Sequence, residues 1–452
     1  MNHKIISQAL LTSLFCFLIT ACGGSGDGGK KDPEIIAPVF PPDPVPEITQ
    51  ELSYGDGFTK IDAGINFKTG YKNPTATPLG QGRVPQHPEH FAGGAATGDY
   101  DNDGDLDILI VRGDIGPNLL YQNNGQGIFQ DVALSAGIAN TKSSTENYRH
   151  SGPLFVDMNG DGHLDIFIGA VNSDPVKVFQ NNRDGTFSDV TATSGLSNLT
   201  SEHTISAAAS DYDFDGDLDL FLTHWGTSRN VANPDASEHL WRNNSTANSI
   251  QFEDVSKTSG ITSAILAQPL VSSVLGEDHD ATFAPVFVDV DNDQYPDLFV
   301  TADFKTSRFL LNNRDGTFRN SRPGLPFEDE AGMGSAVADF DNDGDFDWFV
   351  SGIIGEFWPL GNRLYENRSL NFKDVSVNAA VNAPRQNGLQ KVSWAWGVCA
   401  EDFDGDMNLD LYVTNGFPFA FQNEFVSFDF DKDQTLLFMG FGDNTFEEKL
   451  SN

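Results

Sequence analysis

Basic side chains are scarce in this chain: 27 lysines and arginines stand against 65 aspartates and glutamates in 452 residues, a formal charge of -38. A phosphate backbone is bound by a cationic surface, so this balance argues against nucleic acid as a partner. Cysteine is scarcer still. Only Cys16, Cys22 and Cys399 occur, with no paired-cysteine motif for a metal or redox centre. No GxSxG elbow, HExxH helix or phosphate-binding loop is present, which lowers the claim of the familiar hydrolase, zincin and nucleotide chemistries. Long apolar runs are also missing. The stretch from Ala9 to Ile19 is too short to span a bilayer, and no stop sequence follows it.

What the chain has in abundance is aspartate at alternate positions. Six segments spell DxDxDGxxD or a near copy. The first three hold Asp99, Asp101, Asp103, Asp105 and Asp107; then Asp157, Asn159, Asp161 and Asp165; then Asp211, Asp213, Asp215, Asp217 and Asp219. The last three hold Asp289, Asp291, Asp293 and Asp297; then Asp339, Asp341, Asp343, Asp345 and Asp347; then Asp402, Asp404, Asp406 and Asp410. Carboxylates at positions 1, 3 and 5 of a tight loop, with another at 9, can converge on one hard cation, while Gly104, Gly162, Gly216 and Gly344 permit the sharp turn. Oxygen-only donors predict Ca²⁺, about six ions, over Mg²⁺, which wants a smaller and stricter octahedron. In the fourth copy Gln294 replaces the turn glycine, and in the sixth the glycine moves to Gly405.

An EF-hand opens with the same ladder, but it needs flanking helices and a bidentate glutamate at position 12. That position here is Ile110, Ile168, Leu222, Val300, Val350 or Val413. Each ladder runs directly into β-branched and aromatic segments such as ILIV, IFIG and LFVT, so the loops join strands. A small-residue strand enters each ladder, an apolar strand leaves it, and an amide-rich third strand such as KVFQNNRDG follows. A fourth reads GTFSDV or a relative. Four short antiparallel strands repeated around an axis predict an all-β propeller of six or seven four-stranded blades. An extra fourth-strand copy, GFTKID at 57–62, precedes the first ladder. The termini therefore either overlap in a six-unit ring or build a seventh blade together. The interval between ladders three and four carries an insertion, Gly260 to Asp280, expected as a loop on one face.

The ladders with DLFV-type strands and NNGDGTFxDV-type turns resemble FG-GAP or VCBS repeats and the integrin-like propeller. The opening FTKIDAGINF followed by GGAATGDYDNDGDLD is similar to bacterial members of the cartilage acidic protein family, often joined to an ASPIC/UnbV domain. The resemblance covers about residues 55 to 450; the chain stops where that further domain would begin. It implies calcium at the ladder aspartates and says little of activity.

Residues 1–21 read as a secretion signal: a short cationic start at Lys4, an apolar stretch, then Ile19-Thr20-Ala21-Cys22. This resembles the bacterial lipobox, whose cysteine is lipidated and becomes the new N-terminus. Gly23 rather than aspartate follows, so the resemblance implies an outer-membrane lipoprotein, on the periplasmic or the cell-surface face. Residues 22–50 are Gly/Ser-rich and then Pro-rich, a tether; residues 51–452 form the propeller. With Cys16 removed and Cys22 lipidated, Cys399 is left alone. A disulfide-free exported fold is then held by its core and its metals.

Four histidines lie shortly before a ladder: His90, His150, His203 and His279, at nine, seven, eight and ten residues from its first aspartate. Pseudo-symmetry would gather them at one mouth of the central channel, with Glu89, Glu202, Asp278 and Asp280 nearby and His224 as a possible member. Such a cluster suits a transition metal such as Zn²⁺ or Cu²⁺, or acid/base work; the plainer alternative is that each histidine caps its strand by local hydrogen bonds. Met333, Trp394 and Trp396 occupy related places as an aromatic wall. The reading that follows is a surface-tethered calcium propeller that binds protein or glycan. Its rival is an exported enzyme, a polysaccharide lyase or a metal-dependent oxidase or hydrolase, and a third reading is a structural subunit of an outer-membrane assembly.

Overall fold

The computed structural model describes residues 63–65, 67, 91–227, 238–266, 279–321, 327, 331–354, 361–381, 393–416 and 435–449, with the backbone of two short strand pairs within 385–390 and 420–429. The leader, Cys22, the tether, the 57–62 segment and His90 lie outside these residues. Six four-stranded antiparallel sheets follow one another, each with its strands in sequence order. Their first strands are Gly94–Gly98, His150–Val156, Ser206–Ser210, Thr282–Val288, Gly332–Ala338 and Ser393–Glu401. First strands of successive blades lie side by side around the axis, as in a β-propeller. Blades five and six also pair directly, Ile353 opposite Trp394.

Second strands such as Asp165–Ala170, Asp219–Thr223 and Asp297–Ala302 are buried throughout. They run mid-sheet with a neighbouring blade over each face, which is why they read as unbroken apolar runs instead of alternating. Apolar clusters fill the five junctions from blade one to blade six. At about 1.5–3 kcal/mol for each fully buried large apolar side chain, these layers carry most of the stability. The first strands are built of small residues because they crowd the axis: a Cβ on Gly334 would lie 2.2 Å from the Trp396 carbonyl oxygen.

The axis is closed by side chains. Ile205, Trp225, Phe283, Met333, Trp394 and Trp396 form one cluster, and the Phe91 ring sits edge-on to Trp225, Phe283 and Trp396 at 4.9, 5.4 and 5.7 Å. The expected wall of Met333, Trp394 and Trp396 is therefore present as packing.

Blades two and three end in tails that grip the next blade. The Ser194 and Ser259 carbonyls accept from the Phe252 and Phe318 amides of the following blade, at 2.8 and 2.7 Å. The Ala63 carbonyl accepts from Phe129 N–H in the same way, at 2.9 Å, and Ile65 and Phe67 pack over Ile110, Leu119 and Tyr121. Residues 63–65 thus seat on blade one as the tail of a preceding fourth strand.

One expectation is refined. The 260–280 insertion opens with a helix, Ile261–Leu266, whose Ile261 and Ile265 are buried against blade four, while residues 267–278, where the loop is expected, lie outside the described residues. Among the described residues no helix is long and apolar enough to cross a membrane.

Candidate metal centres on one rim

Every ladder connects the first strand of a blade to its second, so all six lie on one rim. The turns between third and fourth strands share that rim. The histidine segments precede the first strands and sit at the other end, about 20 Å away for a strand of six residues.

Local hydrogen bonding explains much of the ladder. The first aspartate accepts backbone amides from positions 5 and 6: Asp99 from Asp103 and Gly104, both at 3.0 Å, and Asp289 from Asp293 and Gln294 at 2.9 and 2.8 Å. The ninth is a buried latch in all six loops. Asp219 accepts Tyr212 N–H at 3.3 Å and Asn243 N–H at 2.8 Å, joining the loop entrance to the third strand. Asp107, Asp165, Asp297, Asp347 and Asp410 make the equivalent pair of bonds. Position 6 takes a left-handed backbone in every copy, from φ 94 at Gly104 to φ 81 at Gln294 and φ 74 at Met407. The sixth loop keeps the common backbone and places Met407 where four of the other loops have glycine.

Five loops bring carboxylate oxygens within 4.8 Å of one another, always from positions 1, 3 and 9: Asp99, Asp101 and Asp107; Asp211, Asp213 and Asp219; Asp289, Asp291 and Asp297; Asp339, Asp341 and Asp347; Asp402, Asp404 and Asp410. These acidic triads could hold a metal ion. Asn159 at position 3 leaves the second loop without an acidic triad. The fifth-position aspartates stand outside the triads, since Asp103, Asp161, Asp215, Asp293, Asp343 and Asp406 all turn to cap the amide of position 7. The seventh-position Asp105, Asp217 and Asp345 are outside as well.

The triads contain carboxylate oxygens that no other protein group satisfies. Asp101, Asp211, Asp213 and Asp291 each keep one buried carboxylate oxygen without a hydrogen-bond partner, a costly state unless another ligand completes it. Burial pushes Asp107, Asp165, Asp297 and Asp347 up to about 7 and Asp219 up to about 8, against the amide hydrogen bonds that favour their charge. A bound divalent ion would reverse that logic and hold them ionised.

The described histidines are placed separately. His150 is buried, Nδ1 facing the Gly169 carbonyl at 3.1 Å and Nε2 the Thr141 hydroxyl at 2.6 Å; desolvation lowers it to about 4. His203 Nδ1 accepts the Asn172 amide at 2.9 Å. His279 is half-buried at an isolated bridge. Among the described residues no histidine enters a metal-capable group. A different pair meets: the His224 and His239 rings lie 4.8 Å apart, and His239 Nε2 contacts Asp280 at 3.1 Å. His224 is spent on the His203 and Glu238 carbonyls at 2.8 and 3.1 Å.

Sequence reasoning missed the asparagines that end the third strands. Asn181, Asn243 and Asn312 each donate a side-chain amide at 2.8 Å to the ladder of the previous blade, at the Tyr100, Met158 and Tyr212 carbonyls. The amide-rich turns were the signal. Also missed was the rim's apolar content: Leu106, Phe214, Leu218, Phe346 and Met407 are exposed within ladders, and Ile128 and Phe441 in the turns beside them.

Three stretches, residues 99–168, 157–222 and 289–350, match the model for the FG-GAP-like repeat. Cartilage acidic protein 1 of Mus musculus is 24% identical over 352 residues, covering 73% of this chain and 49% of that protein. The chain is an FG-GAP-repeat protein related to cartilage acidic protein 1. The Xenopus tropicalis protein is 34% identical over 134 residues, 29% of this chain and 19% of its own length. The chain spans about half, or less, of the curated relatives it matches. A solved Agrocybe aegerita lectin that recognises non-reducing terminal N-acetylglucosamine aligns with TM-score 0.47 and 16% identity, over 79% of each chain.

Proposed function

We propose that this protein is an exported, calcium-stabilised propeller that binds a protein or glycan ligand and is held at the outer membrane by lipid on Cys22. The observation that carries the calcium reading is the set of buried, unpartnered carboxylate oxygens on Asp101, Asp211, Asp213 and Asp291 inside repeated acidic triads. Positions 1, 3 and 9 would hold the ion, with the Asn159 side-chain oxygen serving in blade two. When bound, calcium supplies the positive charge that lets several carboxylates share a loop. The residues do the rest: the first aspartate folds the loop over its own amides, and the ninth ties it to the third strand.

For binding, the ladder rim supports the reading. Among the described residues, seven of the nine exposed large apolar side chains stand on it, whereas scattered exposure would spread them over the surface. Apolar tips set among carboxylates suit a protein ligand with apolar and basic side chains; calcium-bridged sugar hydroxyls are the glycan alternative. The enzyme reading needs histidines converged on a ligand. Those described are engaged locally, which favours the binding module.

Metal analysis of the purified protein tests the proposal. About five to six calcium ions per chain, without stoichiometric zinc or copper, is the expected result. A transition metal in stoichiometric amount would revive the enzyme reading, and no metal at all would defeat the calcium reading.

A further inference from the structure

We propose that Arg183 and Arg314 divide the ladder loops into two affinity classes, four tight and two weak. The inference rests on the calcium reading and concerns how the chain grades its own sites. In blades two and four the turn between third and fourth strands reads NNRDG, and its arginine takes a left-handed backbone, φ 66 and φ 63. That conformation aims the side chain at the fifth position of the blade's own ladder. Arg183 donates from Nε and Nη2 to Asp161 Oδ2 at 3.2 and 2.8 Å. Arg314 donates from Nε to Asp293 Oδ2 at 2.5 Å. Both carboxylate side chains are nearly buried, 2% and 8% exposed, while the arginines are about half exposed.

The other four loops lack this feature. All six fifth-position aspartates accept the backbone amide of position 7 through Oδ1, Asp161 and Asp293 included; what Asp103, Asp215, Asp343 and Asp406 lack is the arginine on the other oxygen. Blade five does carry an arginine close by, but Arg368 turns to Glu366, at 2.6 Å. Arg368 follows Asn367 directly, one residue earlier than Arg183 and Arg314 stand after Asn181 and Asn312, and the turns of blades one, three and six hold no arginine.

A divalent ion held by positions 1, 3 and 9 of loop two or four has a guanidinium in the same loop, seated on the fifth-position carboxylate. It binds against that Coulomb repulsion or drives the arginine off the loop. Because the guanidinium is half exposed and screened, the expected penalty is about tenfold in affinity, not many decades. The same contact neutralises the fifth aspartate when calcium is scarce, so those two loops keep a cation of their own.

Calorimetric titration of the full chain with Ca²⁺, after chelator treatment and buffer exchange, provides the test. Wild type should show two classes of site. Arg183→Ala with Arg314→Ala should tighten the weak class by about tenfold and leave the number of sites unchanged. Arg368→Ala should leave the isotherm as it was. Should the alanine pair fold poorly, Arg183→Gln with Arg314→Gln removes the charge and keeps a polar side chain. A single class in wild type, or a weak class that does not move in either pair, overturns the inference while calcium binding stands. Absence of any binding removes the calcium reading as well.

Discussion

Asn312 in blade four donates its side-chain amide to the Tyr212 carbonyl of blade three at 2.8 Å, while its backbone N–H reaches Asp297 at 2.8 Å. One residue thus joins a third strand, its own ladder and the ladder of the preceding blade. Asn312→Ala leaves the Tyr212 carbonyl unpaired in a buried site and should cost about 1–3 kcal/mol. Asn182→Ala, in an exposed turn, should cost less than about 1 kcal/mol. Urea unfolding of both variants measures the difference, and equal losses would refute the stitch.

Calcium removal should lower the melting temperature substantially. If five triads are each filled at about ten times the dissociation constant, linkage gives roughly 1.4 kcal/mol per site and about 7 kcal/mol in all. Scanning calorimetry in calcium and in excess chelator is the check. A melting curve unchanged after verified metal removal would count against any structural role for the triads.

Gln294 and Met407 hold a left-handed backbone that glycine adopts freely. Gln294→Gly and Met407→Gly should each stabilise the protein by about 1 kcal/mol. Since Met407 is 86% exposed, its replacement loses little packing. A fall in melting temperature for both variants would show that these side chains do more than occupy a turn.

Acid should weaken the fold through His150. Desolvation lowers its folded pKa to about 4, so the folded state favours the neutral ring. Stability from this group is full above the unfolded value of about 6.5 and is lost as pH falls from there towards 4, on the order of 3 kcal/mol. His150→Gln should flatten the pH dependence of urea unfolding in that window. A slope as steep as that of wild type would assign the acid sensitivity elsewhere.

Cys22→Ser should move the protein from the membrane fraction to the soluble one, because the proposed lipid is its anchor. Fractionation with immunoblotting reads the result. A variant still membrane-bound after a salt wash would contradict the lipobox reading.

The blades were legible because two independent signals coincide: a ladder at fixed register and an apolar strand leaving it. The triads were partly legible. Positions 1 and 3 follow from alternation and position 9 from its fixed place at the strand start, but position 5 leaves the triad because its carboxylate caps the amide two residues on, which only the turn geometry decides. The histidines illustrate another limit. Their offsets of seven to ten residues mix odd and even, and alternation along a strand sends such positions to opposite faces. Similar distance from a ladder therefore did not imply a shared surface, as His150 and His203 show with their separate partners. The asparagine stitches needed the ring itself, since Asn312 and Tyr212 are 100 residues apart.

The tail at residues 63–65 has a mechanical consequence. Among the described residues the N-terminal segment meets the folded body at Ala63, whose carbonyl holds the Phe129 amide on the fourth strand of blade one. Tension on the N-terminal segment would be delivered to the outer edge of a single blade, away from the aromatic plug on the axis and from the carboxylate loops. Ile65 and Phe67 over Ile110, Leu119 and Tyr121 would take that load first, so peeling would begin at this patch while the later blades remain assembled.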